Sequence, residues 1–160
     1  VLPVFKEQHS GVILNISATL HYRATPFQMH ASAAKAGIDV MTRVLGVEWA
    51  EYGVRTVSIA PGPIEGTVGG PDGRVFGQNR KPSSSAIVPV GRFGTVWDIG
   101  NTALFLASDA GSFISATEVV VDGGHYQEGT GSFSRMKAAI EAKSQKEKEG
   151  KQYKTYRAKI

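Results

Sequence analysis

The sequence predicts an α/β fold in which about three strands of a parallel, doubly wound sheet alternate with helices. Residues 11–60 contain a strand pattern, a helix pattern and a second strand pattern in that order, as in a parallel crossover unit. The first strand pattern is almost continuously apolar, which is typical of a strand buried on both faces of a sheet. Three strands are fewer than the five or six usual in such domains, so we expect half of the domain to lie outside this sequence.

The crossover unit begins with a predicted strand at Gly11–Ile16, a short apolar run with β-branched residues. Residues 17–26 are polar and turn-like. Residues 27–52 are predicted to be helical because apolar side chains recur every three to five positions, at Ala33, Ile38, Met41, Leu45 and Trp49. Gly53 then takes the place of a helix C-cap glycine, and residues 54–60 form the second predicted strand.

The rest of the chain contains one further strand and two helices. Residues 65–88 have no clear period, and so long a loop is usually functional or mobile. We predict an amphipathic helix at 98–108 and a third strand at 118–121. The body, residues 1–128, is followed by a tail, residues 129–160, in which a Gly-rich hinge precedes an exposed helix over 135–148.

Composition excludes several classes of protein. The chain is 41% hydrophobic and 20% charged, as in globular proteins, and it contains no cysteine, which excludes disulfides, thiolate metal sites and cysteine nucleophiles. No apolar run approaches the roughly 20 residues of a membrane span. The histidines, His9, His21, His30 and His125, lack the spacing of metal ligands, so no metal site is expected.

The positive charge of the chain belongs to the tail. The net charge is +4, yet residues 129–160 alone hold nine Lys/Arg against three Asp/Glu. Basic tails can bind nucleic acid, phosphates or acidic membranes. We interpret this one as solvated surface and expect no nucleic-acid partner.

Ligands of parallel sheets bind beyond the carboxyl ends of the strands. Three predicted loops lie at that edge, over residues 17–25, 61–67 and 122–126. We therefore expect any chemistry to come from these loops and from the start of the helix after the first strand.

Several strings, in this order, resemble the short-chain dehydrogenase/reductase superfamily over residues 1–126. They are Gly11-Val12-Ile13-Leu14-Asn15-Ile16-Ser17, Ser32-Ala33-Ala34-Lys35-Ala36-Gly37, the segment from Val54-Arg55 to Pro61-Gly62-Pro63-Ile64, Gly91-Arg92-Phe93-Gly94, Phe105-Leu106-Ala107-Ser108-Asp109 and Val121-Asp122-Gly123-Gly124. The resemblance implies the C-terminal half of a Rossmann-like domain that begins just before the family's fifth strand. The family's glycine-rich phosphate loop has no counterpart among these residues.

The family's catalytic constellation is incomplete in this sequence. The resemblance places its lysine at Lys35, but its tyrosine falls at Ala31 and its serine at Ala18. Neither alanine can exchange a proton, so ordinary carbonyl reduction by this constellation is not expected. The 2,4-dienoyl-CoA reductases, in particular the peroxisomal form, tolerate these losses. The strings Ala18-Thr19-Leu20, Gln28-Met29-His30-Ala31, Val47-Glu48-Trp49 and Pro61-Gly62-Pro63-Ile64-Glu65-Gly66-Thr67 are similar to theirs.

This resemblance implies the NADPH-dependent reduction of 2,4-dienoyl-CoA thioesters in the β-oxidation of unsaturated fatty acids. Lys35 would bind the nicotinamide ribose and polarise a water, and Asp122 would be a catalytic acid. The alternatives are that Lys35 is a surface lysine and that Asp122 is a turn residue before Gly123-Gly124.

The loop after the second strand would bind the nicotinamide. Its residues are Pro61, Gly62, Pro63, Ile64, Glu65, Gly66 and Thr67. The resemblance implies that the Ile64 backbone and the Thr67 hydroxyl reach the carboxamide of the nicotinamide. The alternative is that residues 61–67 are only the turn that ends the strand. In the following segment, Arg74 would meet the phosphates of a fatty acyl-CoA, unless its charge is simply solvated.

Two further expectations depend on the resemblance. The final tripeptide, Ala158-Lys159-Ile160, is a conservative variant of the Ser-Lys-Leu address and predicts a peroxisome or a glycosome. Family members associate through the helix that carries Lys35 and the next long helix, so we expect a homo-oligomer. The alternative functions are another short-chain oxidoreductase, such as a 3-oxoacyl reductase, and a truncated non-catalytic homologue that acts in oligomer association.

Overall fold

A three-stranded parallel sheet forms the centre of the part of the chain that the computed structural model describes, which is residues 1–67, 88–128, 136 and 138–148. Its strands are β1 at Gly11–Ile16, β2 at Val54–Pro61 and β3 at Thr117–Val121, in the order β1-β2-β3. The α/β class and the parallel sheet predicted from the sequence are confirmed.

Helices surround the sheet. They are α1 at Leu2–Gln8, α2 at Met29–Glu48, α3 at Val96–Ala107 and the short α4 at His125–Glu128. Residues 138–148 are also helical and fully exposed, as predicted for this part of the tail. None of the helices in the described ranges combines the length and the apolar character that a membrane span requires.

Both boundaries of α2 differ from the prediction, and α3 spans Val96–Ala107 where a helix over 98–108 was predicted. The helix expected over 27–52 begins at Met29, because Phe27 has a φ of 63° that no α-helix accommodates. It ends at Glu48, and a 3₁₀ turn at Ala50–Tyr52 leads to Gly53, which is left-handed as predicted for a cap. Helix α1 was not predicted, because its seven residues offer little helical period.

The core lies on β2, which is hydrogen-bonded on both sides. Val57 and Ile59 of β2 pack with Leu106 of α3, and all three side chains are fully buried. The parallel register pairs Ile16 of β1 with Ile59, and Pro61 with Val121 of β3. The carboxyl ends of the three strands therefore lie at one edge, where the candidate site was expected.

Helix α3 begins with a capping box. The Thr95 hydroxyl accepts the Asp98 N–H, and the Asp98 carboxylate accepts the Thr95 N–H in return. Arg92 donates two hydrogen bonds of 2.8 Å to the same carboxylate. The Arg92 guanidinium and the Thr95 donors hold the pKa of Asp98 well below its usual range. These contacts fix residues 91–94 beside the loop that follows β2.

Helix α2 approaches the sheet closely at Gly46. A Cβ atom added there would lie 2.7 Å from the Ala116 Cα, whereas one added at Gly37, in the same helix, would meet nothing within 4 Å. Gly46 is therefore buried in a contact that leaves no room for a side chain, whereas Gly37 lies on the exposed side of α2 with open space around it.

Gly46→Ala and Gly37→Ala are expected to shift stability in opposite directions. The first forces α2 away from the Ala116 backbone and should cost about 1–3 kcal/mol through overpacking. The second replaces a helical glycine without a clash and should stabilise by about 0.5–1 kcal/mol. Urea denaturation of the two variants measures both effects. Equal stability of the two variants would contradict the close contact at Gly46.

Candidate active site

The loop after β2, residues 61–67, is bound to β3 by its backbone. The Gly62 N–H donates to the Val121 carbonyl at 3.0 Å, and a Cβ at Gly62 would lie 2.5 Å from the Asp122 Cβ. Only a glycine allows the ends of β2 and β3 to approach so closely. The predicted cofactor loop and Asp122 are therefore brought together.

The same loop is held from its other side by residues that precede α3. The Gly94 N–H donates to the Pro63 carbonyl at 3.0 Å, and the Glu65 N–H donates to the Gly94 carbonyl at 2.9 Å. Pro63 and Ile64 are buried, whereas Glu65, Gly66 and Thr67 are exposed. The loop thus combines an apolar, fixed half with a polar half that is open to solvent.

Thr67 turns back onto the loop. Its hydroxyl donates to the Ile64 carbonyl at 2.8 Å. The hydroxyl proton is used within the loop, so a ligand would meet the oxygen of Thr67 as an acceptor. A carboxamide NH₂ group is a donor that such an oxygen can accept.

A cavity of about 150 Å³ lies between this loop and β3. Its lining residues are Pro63, Ile64, Val88, Val90, Arg92, Gly94, Asp98, Val121, Asp122 and Gly123.

A second, wider cavity of about 550 Å³ lies along the start of α2. Its lining residues are Leu20, His21, Arg23, Ala24, Thr25, Pro26, Phe27, Met29, Ser32, Ala33 and Ala36. Lys35 lines neither of the two.

Lys35 lies in the second turn of α2 and reaches the end of β1. Its Nζ donates to the Ile16 carbonyl at 2.8 Å, and the Ser17 hydroxyl is 3.5 Å from the Lys35 carbonyl. The ammonium carries three N–H donors, so this one bond leaves donors for a ligand. The structure places Lys35 at the expected edge of the sheet.

Asp122 is engaged in a turn. Its Oδ1 accepts the Gly124 N–H and its Oδ2 accepts the Tyr126 N–H, both at 2.8 Å. These bonds join β3 to α4, and they are the arrangement of the alternative in which Asp122 is a turn residue. A role in proton transfer stays compatible with these bonds, because each carboxylate oxygen keeps a further lone pair that can accept a proton.

Lys35 and Asp122 do not contact each other. Lys35 lies at the end of β1 and Asp122 at the end of β3, with β2 between them, which separates them by roughly 10 Å at the usual strand spacing. Within the described ranges no hydrogen bond joins the two side chains. Lys35 and Asp122 therefore lie at the same edge of the sheet, as expected, but at separate places along it.

The segments after β1 and β3 meet in front of this edge. The Arg23 guanidinium lies 3.3 Å from the His125 Nε2, and the Tyr22 and Tyr126 rings are 5.4 Å apart in an edge-to-face arrangement. Burial, and secondly the Arg23 charge, lower the pKa of His125. A neutral His125 accepts the bond from Arg23.

A buried network behind the edge was missed by sequence reasoning. Its centre is the carboxylate of Asp39, one helical turn after Lys35 and 2% exposed. Burial alone would raise the pKa of Asp39, but hydrogen bonds from its neighbours outweigh burial and hold the pKa below its usual range; these neighbours are Ser17, His21, Ser58 and Tyr22. The signal that could have revealed it is a carboxylate on the sheet-facing side of α2, four residues after a lysine at the site.

Tyr22 joins this network to the ring contact at the sheet edge, because its hydroxyl donates to Asp39 while its ring packs against Tyr126. Burial and the adjacent Asp39 carboxylate raise the pKa of Tyr22. The phenol is therefore a poor proton donor.

Some predicted residues lie outside the described ranges. They are Arg74 and the final tripeptide, Ala158-Lys159-Ile160, together with the hinge at 129–132. Among the residues that the structure does describe, no three carboxylate or histidine side chains form a metal-binding group.

The chain is similar to known oxidoreductases in sequence. Residues 1–126 match the family described as enoyl-(acyl carrier protein) reductase. The peroxisomal 2,4-dienoyl-CoA reductase [(3E)-enoyl-CoA-producing] of Arabidopsis thaliana is 44% identical over 115 residues, which are 71% of this chain and 38% of that protein. Its counterpart in Danio rerio is 40% identical over 144 residues, which are 89% of this chain and 47% of that protein. The chain thus spans less than half the length of these relatives.

The fold is similar to solved structures of the same kind. A short chain dehydrogenase from Bacillus anthracis is 38% identical with a TM-score of 0.65, over 78% of this chain and 48% of that one. A gluconate 5-dehydrogenase from Burkholderia cenocepacia, solved with NADP and tartrate, is 29% identical with a TM-score of 0.70, over 79% of this chain and 49% of that one.

Proposed function

Because the chain belongs to the short-chain dehydrogenase/reductase superfamily, as a relative of the peroxisomal 2,4-dienoyl-CoA reductases, we propose that it is part of an NADPH-dependent 2,4-dienoyl-CoA reductase of unsaturated fatty-acid β-oxidation. The observation that carries the proposal is the combination of Lys35 at the sheet edge with alanine at positions 18 and 31. That combination suits a reaction which needs no phenol to protonate an alkoxide. The relatives named above are 40–44% identical to the chain.

The donor set fits a nicotinamide nucleotide. The ammonium of Lys35 has donors for ribose hydroxyls, and the exposed half of the loop after β2 offers the Thr67 oxygen to a carboxamide. Pro63 and Ile64 supply an apolar wall. When bound, NADPH would supply the hydride.

In the proposed reaction, the far end of the conjugated dienoyl system gains a hydride, and a dienolate with negative charge on the thioester oxygen forms. That oxyanion requires a nearby donor, and a carbon atom must afterwards be protonated. Lys35 would polarise a water for these steps. Asp122, which lies across β2 from Lys35, would connect to that water through further waters and relay the proton along them, using lone pairs that its turn bonds leave free.

Direct assay tests the proposal. The protein encoded by the longest open reading frame that contains this chain should oxidise NADPH in the presence of a 2,4-dienoyl-CoA and leave a 3-oxoacyl-CoA unchanged. A preference for the 3-oxoacyl substrate would favour the other short-chain oxidoreductase. No turnover with either substrate would favour a non-catalytic homologue. The 160 residues alone are expected to bind NADPH weakly, because no glycine-rich phosphate loop is among them.

A peroxisomal or glycosomal location is part of the proposal. It is supported by the names of the relatives and by the final tripeptide Ala158-Lys159-Ile160. A fluorescent protein that ends in residues 129–160 should enter peroxisomes, and the same fusion without the last three residues should stay in the cytosol. Equal distribution of the two fusions would contradict the address.

Self-association is also proposed, on the exposed face of α2. Val40, Val44 and Val47 follow a helical spacing, and they are 52%, 46% and 72% exposed. Exposed apolar stripes of this kind mark association surfaces. We therefore propose a homo-oligomer in which α2 contributes to the interface.

Val44→Lys is expected to weaken that association. A charge at the centre of the stripe would be buried without a partner in the oligomer. Analytical ultracentrifugation should show a smaller species for Val44→Lys and an unchanged species for Glu51→Lys, an exposed control beyond the stripe. If Val44→Lys sediments like the unmodified protein, α2 is not at the interface.

A further inference from the structure

A single buried carboxylate joins three segments behind the candidate site. Asp39 of α2 is 2% exposed, and among the described residues it is the only buried one that bears a formal charge. Its Oδ2 lies 2.6 Å from the His21 Nε2 and accepts the Tyr22 hydroxyl at 3.1 Å, while its Oδ1 accepts the Ser58 hydroxyl at 3.0 Å. The carboxylate thus connects α2, β2 and the segment after β1.

Asp39 joins α2 to the segment after β1, and the position of Lys35 depends on both of these elements. Lys35 lies one turn before Asp39 on the same side of α2. Its Nζ donates to the Ile16 carbonyl, and the Ser17 hydroxyl faces the Lys35 carbonyl. A shift of α2 against residues 16–22 would therefore move the ammonium relative to the sheet edge.

We propose that Asp39 is a positioning residue that locks residues 17–22 and β2 against α2 and so sets the place of the Lys35 ammonium. The inference rests on the proposed role of Lys35. Asp39 itself is buried beneath the edge, so it acts through Lys35 and not on a substrate. Misplacement of a reacting group by about 1 Å commonly costs about a hundredfold in rate.

The hydrogen-bond donors around Asp39 define what a substitute must do. A carboxylate accepts only, so the His21 tautomer with a proton on Nε2 satisfies it. The His21 Nδ1 is buried and has no hydrogen-bond partner among the described residues. An asparagine can keep its oxygen toward His21 and Tyr22 and donate its NH₂ to the Ser58 oxygen, which accepts as readily as it donates. Asp39→Asn therefore preserves the geometry without the charge, whereas Asp39→Ala removes the acceptor that these neighbours share.

Thr42 provides a matched control on the same helix. Its hydroxyl is fully buried, accepts from the Asn15 side chain at 2.9 Å and donates to the Ile38 carbonyl at 2.8 Å. Thr42→Val also removes a buried hydrogen bond between α2 and the sheet, but one turn beyond Asp39 and away from Lys35.

The test measures kcat, KM and melting temperature in the protein encoded by the longest open reading frame. We expect Asp39→Ala to lower kcat about 10- to 100-fold, and Asp39→Asn to keep kcat within about threefold of the unmodified protein. Tyr22→Phe, which removes one donor and keeps the ring contact with Tyr126, should lower kcat less than Asp39→Ala. Thr42→Val should lower the melting temperature and leave kcat unchanged.

Two results would overturn the proposal. If Asp39→Ala folds and keeps an unchanged kcat, the network is merely structural. If Asp39→Ala does not fold, an unchanged kcat in Tyr22→Phe leads to the same conclusion. An Asp39→Asn variant as slow as Asp39→Ala would mean that the charge and not the position matters.

Hydrogen exchange separates this inference from the proposed function. Asp39→Ala should increase amide exchange in residues 17–22, and Asp39→Asn should not, whether or not the protein reduces a dienoyl-CoA. The expected exchange pattern without any turnover in the unmodified protein would contradict the proposed function and leave the locking role of Asp39 intact. Unchanged exchange in the alanine variant would contradict the locking itself.

Discussion

In the protein encoded by the longest open reading frame that contains this chain, replacement of Lys35 by alanine is expected to lower the turnover of 2,4-dienoyl-CoA by about 10²–10⁴-fold, the usual cost of losing a positioned acid or base group. The ammonium is held at the carboxyl end of β1 by the Ile16 carbonyl, with donors left for a ribose and a water. Alanine supplies none of these donors. Because one ammonium would serve both the cofactor and the water, the affinity for NADPH should fall together with turnover.

Steady-state kinetics and NADPH fluorescence titration measure the two effects. Arg43→Ala is the matched control, because Arg43 is an exposed cation on the same helix that pairs with Glu118 and lies two turns beyond Lys35. The control should keep both turnover and affinity. If Lys35→Ala does the same, Lys35 is only a surface lysine, and the proposed chemistry loses its central group.

The sheet could be predicted because its signals are local. The apolar run at Gly11–Ile16 was predicted to the residue, and β2 extends one residue beyond the prediction, to Pro61. The apolar run of β2 and the Pro61-Gly62-Pro63 string that ends it together located this edge of the sheet. That edge then placed Lys35 and residues 61–67 at the carboxyl end of the sheet, which is where the structure has them.

The Asp39 network was missed for a physical reason. Its hydrogen-bond partners are 17 to 19 residues away along the chain. From the helical pattern alone, an isolated aspartate is predicted to face solvent. Only the packing of α2 on β2 shows that Asp39 points inward, where four hydrogen-bonding neighbours offset the cost of burying its charge. The capping box of α3 is an intermediate case, since Thr95 stands three residues before Asp98 in the sequence, as such a box requires.

Asp122 shows a different limit of sequence reasoning. An Asp-Gly-Gly string after a strand predicts a turn. A carboxylate at the edge of the site predicts a proton-transfer role. Asp122-Gly123-Gly124 fits both patterns. The structure displays the turn, with both oxygens bonded to backbone N–H groups. Only substitution can separate the two roles, since the geometry of one does not exclude the other.

Asp122→Asn is expected to lower turnover strongly, by about 10²–10⁴-fold, with little effect on the affinity for NADPH. The alanines at positions 18 and 31 supply no proton. Two carboxylates line the cavity beside residues 63 and 64, and of these Asp98 is paired with Arg92 in the cap of α3, which leaves Asp122 as the candidate. An amide cannot relay a proton in its place. Asp122→Ala should lower turnover to the same extent, because both variants lack the carboxylate.

The two variants should differ in stability. The amide oxygen of asparagine can still accept one of the two backbone N–H groups, at Gly124 or at Tyr126, whereas alanine accepts neither. Loss of such caps typically costs about 0.5–2 kcal/mol, so Asp122→Ala should unfold at a lower temperature than Asp122→Asn. Asp109→Asn, an exposed aspartate in the 3₁₀ turn after α3, is the control and should change neither turnover nor melting. Full activity of Asp122→Asn would show that Asp122 is a turn residue and that the proton reaches the substrate through Lys35 or through an acid elsewhere in the protein.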